Sequence, residues 1–161
     1  MSFSFVDKIL SVENNKKILT SRSLTLNEEY FQDHFPTFPI MPGVLMLESL
    51  VQTAIWLLRI VQKFSFSTFV LSEVQSVKYG QFVRPGDVLL SEVSLEGLET
   101  DRARFKGRGF VDKQSVLSSV FTVRFLNRKS LNAAHESLDR LLIERHQNLF
   151  SLLNKSQANV C

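Results

Sequence analysis

The sequence predicts an α+β fold in which a curved antiparallel sheet wraps one long buried helix and a second, amphipathic helix closes the chain. Three observations predict it. The run from Val44 to Val61 is apolar almost all round, broken only by Glu48, Gln52 and Arg59, which marks a helix buried on most sides. About six strand-length segments surround it, separated by turn signals. Beyond residue 127, Leu131, Ala134, Leu138, Leu141, Leu142, Leu149 and Leu152 follow helical spacing.

In chain order, residues 3–13 and 16–26 read as two strands joined at Asn14-Asn15, a pair that tolerates the left-handed conformations of tight hairpins. Ile18, Leu24, Leu26 and Val12 supply their apolar positions. Residues 28–31 suit a single helical turn. From Gln32 to Pro42, prolines at 36, 39 and 42 stiffen an extended loop. The long helix runs from Gly43 to about Lys63, roughly 30 Å at 1.5 Å per residue. Strands follow near 66–79, 86–98, 101–111 and 115–126, divided by Pro85-Gly86-Asp87, by Gly97 to Thr100 and by Asp112-Lys113. Packing the strands around the helix is the economical solution. The tail reads as an amphipathic helix of about five turns, with Ser156 to Cys161 expected to be loose. The division is therefore 1–126 for the main domain and 127–161 for a helical extension.

With 161 residues, 44% hydrophobic and 22% charged, the chain suits one domain with a full core. Its 14 phenylalanines fill a core or wall an apolar cavity, and composition alone favours the core. The single cysteine, Cys161, excludes an intrachain disulfide and fits a reducing compartment. Residues 1–8 lack the basic and long apolar stretches of a secretory signal, so the cytoplasm is the expected location. Charges within the Val44–Val61 run argue against a membrane span. The net charge of +3 is mild, and neither a nucleic-acid module nor an internal repeat is present. His135 and His146, in the tail, have no further ligands at metal spacing and read as surface residues; no metal and no cofactor is expected.

Chemistry concentrates between Asn27 and Gln52. Glu48 sits among Val44, Leu45, Leu47 and Val51; a carboxylate buried there must be paired, hydrogen-bonded or protonated. Gln52, one turn on, shares its face. On a wetter face Glu48 would be merely exposed. His34 lies in the proline-stiffened loop, where a lone histidine is more often a packing residue than a catalyst. Gly43 opens the helix, whose first N–H groups and dipole favour negative charge and where the absent side chain admits a ligand oxygen. Alone, Pro-Gly does no more than start a helix.

Together these residues resemble the signature of FabZ-type 3-hydroxyacyl-acyl-carrier-protein dehydratases, of the FabA/FabZ hot-dog family. The matches are Asn27-Glu28, Tyr30-Phe31-Gln32, His34-Phe35-Pro36, Pro39, Met41-Pro42-Gly43-Val44-Leu45, Glu48 and Gln52, with Phe5-x-Asp7-Lys8-Ile9-Leu10 before them and Pro85-Gly86-Asp87 after. The spacings from His34 to Gly43 and to Glu48 are the family's, and the resemblance covers roughly residues 3–126. It implies the hot-dog fold and dehydration of a (3R)-3-hydroxyacyl thioester on acyl carrier protein to the trans-2-enoyl thioester. His34 is the implied base, the Gly43 N–H the thioester-oxygen donor, Glu48 of the partner subunit the acid, and Gln52 its support. It also implies a homodimer, which in FabZ-type members often assembles into a trimer of dimers.

The sequence departs from the family in several places. Asp33 and Thr37 replace glycines, and Gly80-Gln81 replaces two cations. A carboxylate at Asp33 would favour the charged His34, a poorer base, unless it points away. The family's N-terminal helix is missing and the tail is added, as in a divergent paralogue. Arg102, Arg104, Lys106 and Arg108 alternate with small or apolar residues, so a strand puts them on one face. That row is either a contact for an acidic carrier protein or a solvated face. The rival activity is a hot-dog acyl thioesterase, which would not need both His34 and Glu48. A non-catalytic acyl-binding or assembly subunit would explain Asp33 and the lost cations but not the retained pair.

Overall fold

The computed structural model describes residues 3–155 of the chain. Strands β1 (Lys8–Glu13), β2 (Lys17–Ser23), β3 (Thr68–Tyr79), β4 (Val88–Leu98), β5 (Arg102–Val111) and β6 (Gln114–Leu126) accompany helices α1 (Tyr30–Asp33), α2 (Gly43–Val61) and α3 (Glu136–Lys155). The strands form one sheet in the order β1-β2-β4-β5-β6-β3, with every neighbouring pair antiparallel. Asn14 and Asn15 both take positive φ (51° and 54°), as do Asp112 and Lys113. Two hairpins therefore turn through the left-handed pairs that match strand twist.

Helix α2 packs on five of the six strands. Leu50, Leu57 and Leu58 are fully buried, as are Phe105, Phe121 and Val93 on the sheet. Helix and sheet meet tightly at Gly107, where an added Cβ would stand 3.1 Å from Leu50; glycine there lets the strand approach. Bulges at Ile9/Ser11, Leu71/Glu73, Val74/Ser76, Leu95/Gly97 and Gly109/Phe110 bend and twist the strands around the helix. By length and composition α2 could cross a membrane, but half of it is buried within the protein.

The phenylalanines divide three ways. Phe5, Phe31, Phe105, Phe121 and Phe125 fill the core, while Phe3, Phe35, Phe38 and Phe82 are exposed. The rest are half-buried, as are Phe66 and Phe69.

The structure corrects several expectations. Residues 3–7 are not strand: the Phe5 N–H donates to Gln52 Oε1 at 2.7 Å, so the segment pairs with α2 before β1 begins. The first helical turn is Tyr30–Asp33, two residues later than expected. The tail opens with two 3₁₀ turns, Arg128–Ser130 and Ala133–His135, before α3. Leu131 precedes the helix, and Leu131, Leu141 and Leu152 are exposed. The docking face is Asp139, His146, Leu149, Phe150 and Leu153, of which only Leu149 belongs to the expected set. Asp139 is buried and accepts from the Arg128 and Lys129 N–H groups at 2.9 and 2.8 Å and from Ser67 Oγ. His146 and Phe150 meet Trp56 of α2, and Phe150 also meets Phe64. His146 is thus no surface residue but half-buried against α2; His135 is half-buried too, its Nδ1 enclosed without a hydrogen-bond partner. The segment Ser156 to Cys161 lies outside the described residues.

Candidate active site

His34 ends α1, and the loop after it folds back on it. The Ile40 N–H donates to His34 O at 2.9 Å, while Ile40 O lies 3.0 Å from His34 Nδ1. A carbonyl only accepts, so this bond puts the proton of a neutral ring on Nδ1 and leaves the Nε2 lone pair free to act as a base. Phe35 stacks on the imidazole, with ring centroids 4.4 Å apart. The Met41 N–H donates to Val83 O at 2.8 Å, tying the loop to the connection between β3 and β4. Asp33 makes no ion pair with His34 among the described residues. It lines a separate hollow with Phe3, Phe5, Glu29, Tyr30 and Leu45.

Gly43 is the first residue of α2, after Pro42, and no side chain caps that end. The N-terminal N–H groups there are poised for negative charge. The ring of Tyr79, from the end of β3, covers the position: a Cβ on Gly43 would lie 2.7 Å from its Cε1. Gly80, next to it, shows why one of the family's cations is missing. A Cβ there would stand 2.6 Å from the Ser115 carbonyl oxygen, and its N–H donates to Val116 O at 2.8 Å.

Glu48 is half-buried, and Gln52 holds it: Gln52 Nε2 donates to Glu48 Oε1 at 2.9 Å. The same amide donates to Phe3 O at 2.9 Å and accepts from the Phe5 N–H at 2.7 Å. Gln52 therefore fixes the carboxylate and fastens the N-terminal segment over α2. Glu48 and Gln52 line a groove of about 210 Å³ with Phe3, Ser4, Ile55, Trp56, Arg59, His146 and Leu149. His34 is not part of that groove, so within one chain His34 and Glu48 do not share it.

The cationic row on β5 alternates as expected: Arg102, Arg104, Lys106 and Arg108 point outward while Ala103, Phe105, Gly107 and Gly109 point inward. Arg102 pairs with Asp101 and Glu99, and Arg108 with Glu92. Arg104 and Lys106 have no ion-pair partner among the described residues. The row faces away from α2, so the fold does not bring it to Glu48. Helix α3, which packs on β1 and the 3₁₀ turns, leaves it uncovered.

Sequence reasoning missed Tyr79, Arg59 and His146. The helical spacing 48-52-56-59 carried the signal for Arg59, since these positions share one face; nothing local marked Tyr79 or His146. Burial beside Arg59 drives the His146 pKa down to about 4, and burial lowers that of Arg59 to about 10.

A six-stranded antiparallel sheet around a helix whose start and second turn carry a bare N-terminus and an amide-held carboxylate defines a hot-dog protein. Solved structures agree on the fold. A chain of the dehydratase heterocomplex ApeI:P from Xenorhabdus doucetiae superposes with a TM-score of 0.57 at 19% identity, over 72% of this chain and 96% of that one. The protein smu.793 from Streptococcus mutans, bound to acetyl CoA, does so with 0.59 at 16% identity, over 79% and 93%.

Residues 1–119 match the FabA-like domain, and the chain belongs to that family. A 3-hydroxyacyl-acyl-carrier-protein dehydratase FabZ from Lactobacillus helveticus is 36% identical over 118 residues, 73% of this chain and 80% of that one. Another, from Oenococcus oeni, is 36% identical over 114 residues, 71% and 82% of the two chains. The match stops before the 3₁₀ turns and α3, which lie outside the family domain.

Proposed function

We propose that the protein dehydrates a (3R)-3-hydroxyacyl thioester on acyl carrier protein to the trans-2-enoyl thioester, in fatty-acid or related acyl-chain synthesis. The observation that carries this reading is the His34 ring. Its Nδ1 is committed to Ile40 O, so Nε2 is free to accept a proton from the carbon next to the thioester carbonyl. As that C–H bond breaks, the Gly43 N–H and the helix dipole stabilise the negative oxygen of the thioester. The electron pair then forms the C2–C3 double bond, the C3–O bond breaks, and Glu48 of the partner subunit supplies the proton that releases water. Gln52 keeps that carboxyl aimed.

The two-subunit site rests on strand β3. It is an edge of the sheet, and its residues from Ser72 to Tyr79 are exposed on both faces, with Val70, Val74 and Val77 among the open apolar side chains. An unpaired apolar edge of this length invites a second copy. Pairing two β3 edges about a twofold axis makes the interface self-complementary. The exposed Phe35 and Phe38 beside His34 and the nearby Phe82 add apolar surface at that end. Arg104 and Lys106, with the flanking Arg102 and Arg108, are the cations offered to the acidic carrier, and a reducing compartment such as the cytoplasm suits the single cysteine.

The test is mass spectrometry of carrier-bound 3-hydroxyacyl substrate with and without the protein. Loss of one water is expected. Release of free acid would instead assign a thioesterase, and no change a binding subunit.

A further inference from the structure

The groove beyond Glu48 has a feature that dehydration itself does not use. Glu48, Gln52, Trp56 and Arg59 lie along one face of α2, and α3 roofs the far end with His146 and Leu149. The guanidinium of Arg59 lies over the Trp56 ring at 4.6 Å and the Phe69 ring at 5.1 Å. Aromatic rings favour the cation but offer its N–H donors no carboxylate or carbonyl acceptor. Its Nε is buried without a hydrogen-bond partner, and no carboxylate pairs with Arg59 among the described residues. A half-buried cation with a buried donor unfilled and no carboxylate beside it is suited to receive an acceptor. His146 beside it stays neutral at pH 7, its pKa held near 4 by burial and by Arg59 and, to a smaller extent, Arg145, so among the residues lining the groove the cation is Arg59.

We propose that this groove receives the far end of the acyl chain and that Arg59 binds a terminal carboxylate there, making the protein selective for ω-carboxylated 3-hydroxyacyl thioesters. The proposal rests on the dehydratase reading and adds the substrate class. The dimensions agree with it. The Arg59 guanidinium stands at the level of Trp56, eight residues or about 12 Å along the helix from Glu48. An extended chain advances roughly 1.1–1.2 Å per bond, so about ten bonds separate the 3-hydroxyl carbon from the carboxylate. The groove, about 210 Å³, is smaller than the roughly 300–1,000 Å³ of sites for drug-sized molecules. It has room for one unbranched chain. Trp56, Ile55 and Leu149 supply apolar walls between its two polar ends.

The experiment compares two carrier-bound substrates of equal length, 3-hydroxydodecanoyl and the monothioester of 3-hydroxydodecanedioic acid. The natural chain should turn over the carboxylate-ended substrate with the higher kcat/KM. Arg59→Met, which keeps the bulk between Trp56 and Phe69, should lower the ratio of the two kcat/KM values by about 10- to 100-fold, the worth of a hydrogen bond to a charged group. Arg59→Lys should keep part of the preference. A natural protein that prefers the methyl-ended substrate overturns the proposal, as does an unchanged ratio in Arg59→Met. Should Arg59→Met fail to fold, the preference of the natural protein and the ratio in Arg59→Lys decide. Dehydration of the methyl-ended substrate alone refutes the selectivity and leaves the dehydratase reading intact. Dehydration of neither refutes both.

Discussion

Replacing Gly43 by alanine separates the helix N-terminus from the rest of the machinery. The new methyl would stand 2.7 and 2.8 Å from Cε1 and Cζ of Tyr79, well inside van der Waals contact. Tyr79 is 51% exposed in the single chain, so displacing its ring leaves that chain's core undisturbed. Overpacking costs about 1–3 kcal/mol, here near the lower bound, and alanine gains up to about 1 kcal/mol over glycine in a helix. The net change in stability should stay within about 1 kcal/mol, read by urea denaturation. Activity should suffer far more, because the methyl crowds the approach of the thioester oxygen to the N–H. Loss of one such donor lowers kcat by about 10²–10³-fold, or 2.7–4 kcal/mol. The assay is enoyl-thioester formation at saturating carrier-bound substrate. A kcat within about threefold of the natural protein would refute the reasoning. So would full recovery in the Gly43→Ala/Tyr79→Leu double variant, which would assign the loss to the displaced ring.

Three further outcomes follow from the geometry. His146 has its pKa lowered to about 4 in the folded chain by burial and then by Arg59, against about 6.5 unfolded. Its contribution is therefore complete above pH 6.5 and lost as pH falls toward 4, because only the unfolded chain takes the proton. The full shift would correspond to about 3 kcal/mol, which solvent reaching the half-buried ring reduces to about 1–2 kcal/mol. His146→Gln should lose less stability than the natural protein between pH 7 and 4.5, and equal losses in the two melting curves would contradict this. Asp139→Ala leaves the Arg128 and Lys129 N–H groups and Ser67 Oγ without their acceptor; it should destabilise by about 1–3 kcal/mol, and an unchanged urea midpoint would show that α3 is not anchored there. Charge reversal at Arg104 and Lys106 should raise KM for carrier-bound substrate, weaken its salt dependence, and leave a pantetheine thioester nearly indifferent. Equal KM values would mark the row as a solvated face.

The central helix and its wrapping were legible because both depend on local pattern. An almost wholly apolar run has nowhere to go but inside, and Asn-Asn and Asp-Lys pairs set their own turns. The Glu48–Gln52 bond was legible because positions four apart share one helix face, and the start of α2 because Pro42-Gly43 opens a helix. The segment 3–7 was misread because its alternation suits a strand, while a long-range bond to Gln52 redirects it. The tail's leucines misled for a related reason. Helix α3 docks through a buried carboxylate, a histidine, an aromatic and the leucines at 149 and 153, so Leu141 and Leu152 face outward although their spacing is helical. Arg59 and His146 meet only when α3 folds over α2, and no pattern within either segment announces that meeting.

The account stands or falls on a site shared between two chains. His34→Ala and Glu48→Gln should each abolish dehydration as pure proteins while remaining folded. Co-refolded in equal amounts, they should regain about a quarter of the natural specific activity. Half the dimers are then mixed, and each mixed dimer holds one intact site of two. Mixtures as inactive as their components would contradict a shared site, and near-natural turnover by either variant alone would contradict the assignment of base and acid.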